Sequence, residues 1–334
     1  MHGFLVKLLD STDPAKTVKH MRKALLGSFL LAVCSNGISG ENPEPGQGFI
    51  DGPGGPVWYK VAGTGPGIPV LALHGGPGGT SCGFTLLEPL GDQRPIIRYD
   101  QLGTGRSGRP DDKSLWTVEH FVEELHVLRQ SLGLEQVHLL GHSWGGSLAA
   151  AYVLEKGTDG IASVTLSSPL LSTPLWIKDA NYLRSQLPED VQQTLTAHEE
   201  AGTTDSEEYK AASAVFYERH IYAGKPMARS AACASAPWSQ SIYEHMWGPT
   251  EFYADGTLVD FDVTDRLHEI DVPVLFITGQ FDEARPETVA SFHKLVAGSQ
   301  FTVILDAAHA SLAKKPEEYR AILENFLDSV EDGR

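Results

Sequence analysis

Residues 139–152 read LLGHSWGGSLAAAY, an apolar run and a small-residue run joined through one serine set between glycines and a tryptophan. Residues Val137 to Leu140 have the character of a buried strand, and the Gly/Ala-rich residues after the serine predict a helix. A strand that turns directly into a helix leaves no room for side chains beside the corner, so Gly141 and Gly145 fit it and the Ser143 Oγ is held clear of the backbone. The helix that starts there aims its first N–H groups at any oxyanion formed on that serine. A bare GxSxG is common by chance, and a glycine-lined turn is the alternative; the strand before and the helix after favour a nucleophile.

The same strand, glycine loop and helix alternation extends outward in both directions. IPVLALHGGPGG is an apolar strand that stops at His74, and PIIRYDQLGTGRSGRP is another that ends in a glycine loop. In TVEHFVEELHVLRQSLGL the apolar residues Val118, Phe121, Val122, Leu125 and Leu128 recur at helical spacing. Strands apolar on both faces predict an α/β fold, a mostly parallel sheet flanked by helices, with active-site groups at the carboxyl ends of the strands. After ASVTLSSP the rhythm breaks, and a long segment rich in helix formers, Tyr and Trp follows before VPVLFITGQFDEARP and FTVILDAAHASL restore it. The expected organisation is an N-terminal extension (1–40), a first part of the core (41–170), a helical cap inserted after the sixth strand (171–256) and a second part of the core (257–334). The Gly/Pro-rich residues 41–55 read as a linker and turn, with regular structure starting near Val57.

A serine nucleophile needs a base and an orienting carboxylate, in the chain order nucleophile, acid, base. Among 13 histidines only His309 follows a late strand at its carboxyl end. Asp282, in GQFDEARP at the end of the preceding strand, is the expected acid, and Asp306 is the alternative. The glycine loop HGGPGG lets backbone N–H groups approach a substrate carbonyl, so Gly76 and Trp144 are the expected oxyanion donors. A phosphate cradle is excluded because no Gly-Lys-Ser/Thr follows the loop. His74 is expected to organise that loop, and Asp100 and Gln101 to act as scaffolding.

The formal charge of −17 and the lack of any basic stripe argue against nucleic acid as a partner. Cys34, Cys82 and Cys233 show no CxxC or Cys/His spacing, so neither a disulfide framework nor a metal site is expected, only small buried hydrophobes. No metal and no organic cofactor is needed for the chemistry. Residues 21–40, MRKALLGSFLLAVCSNGISG, combine a basic start, a short apolar stretch and small residues in the layout of a secretory signal. That layout predicts a secreted or periplasmic protein, with a cytoplasmic one as the alternative, and no later stretch is apolar for long enough to insert stably in a membrane.

Taken together, HGGPG, YDQLGTGRS, GHSWGG, GPTEF, GQFDE and the late AAH make the chain resemble the proline iminopeptidase family of α/β hydrolases and the related tricorn-interacting aminopeptidases. The resemblance spans roughly residues 57–330. It implies that Ser143, Asp282 and His309 form a triad, and that Glu251 of GPTEF and Glu283 bind the free α-amino group of a short peptide or amide. The implied activity is release of an N-terminal residue, preferentially proline, with an esterase, amidase or biosynthetic acyl hydrolase on the same triad as the alternative. One departure stands out: the family usually has DQRG where this chain has DQLG, with Leu102 in place of the arginine.

Overall fold

Eight strands make one sheet in the order β1-β2-β4-β3-β5-β6-β7-β8. The computed structural model describes residues 42–225, 233 and 236–333. The strands are β1 (Gly46–Gly52), β2 (Gly55–Ala62), β3 (Val70–Leu73), β4 (Ile96–Tyr99), β5 (Val137–His142), β6 (Ile161–Ser167), β7 (Val274–Gly279) and β8 (Gln300–Ile304). Only β2 runs against its neighbours, β1 and β4; every other pair is parallel.

Strand periodicity explains the two cores. In β3, Leu71 and Leu73 face one cluster while Val70 and Ala72 face the other, and in β7 Val274 and Phe276 face opposite to Leu275 and Ile277. The first cluster is closed by α1 (Val118–Ser131), α2 (Trp144–Lys156) and α7 (Pro286–His293). The second is closed by the 3-10 turns of Ser81–Asp92 and by α9 (Pro316–Asp332), which follows the short α8 (Ser311–Lys314). Each fully buried leucine in these layers contributes roughly 1.5–3 kcal/mol.

Between β6 and β7 lie α3 (Thr173–Arg184), α4 (Glu189–Ala201), α5 (Glu207–His220) and α6 (Gln240–Met246), the inserted helical cap. It has a small core of its own, with Leu183, Leu195, Tyr209, Phe216 and Phe252 buried together. Its helices start where the sequence offers caps: the Ser172 hydroxyl accepts from the Leu175 amide, and the Ser206 hydroxyl from the Tyr209 amide at 3.1 Å. Such a cap is worth about 1 kcal/mol.

Two expectations are corrected. The supposed linker contains β1, which pairs with β2 from Gly46↔Val61 to Gly52↔Gly55. The pattern is weak because Phe49 and Ile50 are its only large apolar residues, and ladder hydrogen bonds rather than burial carry the strand. Cys82 and Cys233 are not separate small hydrophobes but form a disulfide, with Cα atoms 5.5 Å apart and 151 residues between them in sequence. A pairing that depends on the cap folding back over the core leaves no local spacing to read. Cys34 and the signal-like residues 21–40 lie outside the described residues.

Strand register gathers the chemistry at one edge. Leu73 pairs with Gly141, His142 with Ser167, and Ser167 with Ile277, so β3, β5, β6 and β7 end side by side and deliver their loops to the same place.

Candidate active site

Ser143 occupies the corner between β5 and α2 with φ 56° and ψ −123°. This strained conformation is over-determined by its surroundings: the Ser143 amide donates to the Ser167 carbonyl at 3.0 Å, and the Ser143 carbonyl accepts from the Gly146 amide at 2.8 Å. No larger residue fits at 145, where a Cβ would lie 1.9 Å from the Leu73 carbonyl oxygen. Trp144 follows as the first helical residue, its indole donating to the Gln101 side-chain oxygen at 3.0 Å. The first N–H groups of a helix have no intrahelical acceptor, which leaves that of Trp144 available beside the serine.

The HGGPGG loop lies against this corner. Gly76 has φ 127°, and a Cβ there would come 2.6 Å from the Gly79 nitrogen. A Cβ on Gly75 would touch the Ser143 Cβ at 2.9 Å, so the loop backs directly onto the serine. The His74 Nε2 accepts from the Gln101 amide at 3.0 Å, so its Nδ1 carries the proton that bonds the Gly75 carbonyl at 2.9 Å. Burial lowers the His74 pKa and keeps this neutral form. Asp100 accepts from the Ser81 amide and hydroxyl and from Arg106, bonds that outweigh the burial opposing its charge and hold its pKa down. These residues brace the loop, as expected of scaffolding.

Asp282 and His309 meet: His309 Nδ1 is 2.8 Å from Asp282 Oδ1. Asp282 also accepts from the Ser168 hydroxyl at 2.6 Å, the Thr278 hydroxyl at 3.0 Å, and the Gly279 and Ala284 amides at 3.1 and 2.9 Å. Burial opposes its charge, but His309 and these donors prevail and lower its pKa. For His309 burial works against the imidazolium, yet the Asp282 charge and hydrogen bond, with Glu251 further off, raise its pKa overall. Asp306, the alternative acid, is exposed and its amide is occupied by the Gln280 side chain. The cap secures both loops: the His309 amide donates to the His220 carbonyl at 3.1 Å, and His220 Nδ1 bonds the Phe281 carbonyl at 2.9 Å.

Glu283 is 1% exposed, neither carboxylate oxygen has a hydrogen-bond partner, and its Oε1 lies 3.7 Å from His309 Nε2. Burial raises its pKa well above the carboxylate range, and the charges of Glu251 and Asp282 raise it further. Glu251 is half-buried, and burial raises its pKa against the opposing pull of His309 and the Tyr243 hydroxyl. Two indoles fix its loop: Trp176 Nε1 donates to the Glu251 carbonyl at 2.9 Å and Trp247 Nε1 to the Thr250 carbonyl at 2.8 Å. Burial, and then the two glutamate charges, raise the pKa of Tyr217, Tyr222 and Tyr243, so neutral phenols surround the pair. Two carboxyls, Glu251 and Glu283, thus lie close to the Asp282–His309 pair.

Sequence reasoning missed three neighbours. The His142 ring lies 4.7 Å from that of His309, the Trp176 ring meets His309 edge-on at 5.7 Å, and Tyr243 faces Glu251. The Tyr and Trp content of the cap was the only visible trace of the last two. Leu102 is fully buried in the main core, and the turn between β1 and β2 packs over it, so the departure from DQRG falls in the core beneath that turn. Among the described residues no group of His, Cys, Asp or Glu could hold a metal ion, and no helix is long and apolar enough to cross a membrane.

This edge of loops over a capped parallel sheet is that of an α/β hydrolase, and residues 68–316 match the family described as the alpha/beta hydrolase fold. The proline iminopeptidase of Heyndrickxia coagulans is 46% identical over 286 residues, covering 85% of this chain and 99% of that protein. That of Lactobacillus acidophilus is 38% identical, covering 78% and 90%. Among solved structures, proline iminopeptidase of Mycobacterium smegmatis superposes with TM-score 0.78 at 33% identity, over 86% of this chain and 99% of that one. VinJ superposes with TM-score 0.80 at 34% identity, over 86% and 100%. The chain belongs to the proline iminopeptidase family of α/β hydrolases.

Proposed function

We propose that the protein is a serine aminopeptidase that releases an N-terminal residue, preferentially proline, from short peptides or amides through an acyl-enzyme. The observation that carries this reading is the buried, unpartnered Glu283 carboxyl 3.7 Å from His309 Nε2, with Glu251 close enough to raise its pKa, next to the Asp282–His309 hydrogen bond. A protonated N-terminal proline has two N–H donors, one for each carboxylate, and binding it sets a positive charge against two carboxyls whose pKa burial raises. That contact fixes the first carbonyl of the chain, and no later one, at Ser143.

With the amine held, His309 Nε2 takes the proton from Ser143 Oγ while Asp282 holds the Nδ1–H. Oγ bonds to the carbonyl carbon, and the displaced electron pair on oxygen is received by the N–H groups of Trp144 and Gly76. The tetrahedral adduct collapses, the C–N bond breaks, and His309 gives its proton to the leaving nitrogen. Water, deprotonated by His309, then opens the acyl ester, frees the amino acid and restores the Ser143 hydroxyl. In this reading the cap helices α3 to α6 form the lid that excludes water and blocks longer chains at the amine end.

A fluorophosphonate probe tests the nucleophile: it labels the wild-type protein, and Ser143→Ala is unlabelled, with kcat on proline aryl amides reduced by about 10⁴-fold or more. Labelling that persists in the variant would overturn the assignment. We also place the protein in an exported, oxidising compartment, a reading supported by the Cys82–Cys233 disulfide and by the secretory layout of residues 21–40.

A further inference from the structure

A cavity of about 180 Å³ opens beside the catalytic groups, bordered by His309 and by Gly75, the loop residue that backs onto Ser143. Its walls come from Gly83 and Phe84 of the 3-10 segment, from Leu312 and Ala313 of α8, and from Tyr319 of α9. None of the cap residues around Glu251 and Glu283 lines it, and neither does either glutamate. The cavity is therefore lined apart from the two glutamates, and His309 adjoins both it and Glu283.

Chemistry dictates what emerges there. The leaving nitrogen must sit within reach of His309 to receive its proton, so the residue attached to that nitrogen starts at the mouth of this cavity. We propose that the cavity is the subsite for the residue following the scissile bond, and that it selects an apolar side chain there. The proposal rests on the aminopeptidase reading above and adds the second residue to it.

Three features set the preference. No carboxylate, lysine or arginine among the described residues lines the cavity. Its histidine neighbour His142 is pushed down to about 3 by burial and by the adjoining His309, so it presents an uncharged ring. The volume suits one side chain of leucine or phenylalanine size, since an apolar cavity of about 150 Å³ holds a benzene ring. A charged second residue would lose its hydration with no partner in return.

The test compares kcat/KM for proline dipeptide amides with leucine, phenylalanine, glycine, aspartate or lysine in second place. Burying the leucine side chain predicts a rate about tenfold or more above glycine, with aspartate and lysine below glycine. Two variants fill the space: Ala313→Phe, in α8, and Gly83→Leu, where a Cβ meets no atom within 4 Å. In either one the leucine-to-glycine ratio falls to about one, while fluorophosphonate labelling of Ser143 reports that the fold is intact. Equal rates across the wild-type panel, or a ratio that survives both fillings, would overturn the subsite while leaving the aminopeptidase reading in place. Failure to cleave any free dipeptide amide, with acetylated or ester substrates turned over instead, would overturn both.

Discussion

His309 is caught between opposed influences: burial disfavours its charged form, while Asp282 and, at longer range, Glu251 favour it, and the balance lifts its pKa. In the proposed mechanism it is a base that works only when neutral, so kcat/KM is expected to rise with pH through that raised pKa, with the acid limb above the ordinary histidine value. Removing one of the charges that lift it must lower the limb. Glu251→Gln is therefore expected to shift the acid limb to lower pH, read on an ester substrate that lacks an amine so that binding does not confound the profile. An unmoved limb would show that Glu251 does not act on His309. Glu283 contributes in a different way, since its unpartnered carboxyl awaits a donor that the free protein does not provide.

At the scale of elements, α1 carries a buried anomaly. Glu124 accepts from the Leu102 amide at 2.9 Å through one oxygen, while its other oxygen and the Tyr99 hydroxyl have no partner. Burial raises its pKa to about 8. An acid whose folded pKa exceeds the unfolded one holds more protons folded, so stability falls as pH rises from the unfolded value near 4.5 to about 8. Glu124→Gln removes that titration: relative to wild type its stability should increase between pH 5 and pH 8, by on the order of 3 kcal/mol. Parallel urea melts at the two pH values check this, and an unchanged difference would contradict it. The sequence showed α1 clearly through Val118, Phe121, Val122, Leu125 and Leu128, yet its acidic face gave no hint that Glu124 turns inward. Likewise the corner at Ser143, the strand stopping at His74 and the late His309 were legible because glycine and strand patterns are local. The β1 strand, the Cys82–Cys233 pairing and the ring of Trp176, Tyr217 and Tyr243 were not, because each arises from tertiary packing.

Across the whole molecule the division of labour is simple. The parallel sheet aligns the ends of β3, β5, β6 and β7, from which Ser143, Asp282 and the HGGPGG loop emerge, while α5 of the cap ties down the loops of Asp282 and His309. The cap also supplies Glu251, and Glu283 comes from the core, so the proposed amine receptor depends on both. The net charge of −17 favours approach of a cationic N-terminus over an acidic peptide. In the proposed function Glu251 and Glu283 select the carbonyl to be attacked. The most direct test of that selection is the ratio of kcat/KM for proline aryl amide with a free and with an acetylated nitrogen, in wild type and in Glu283→Gln. The expected wild-type ratio is about 10³ or more, the loss that follows when a buried charge has no partner, and the ratio should fall at least about tenfold in the variant. Equal turnover of the two substrates by the wild-type protein would contradict it.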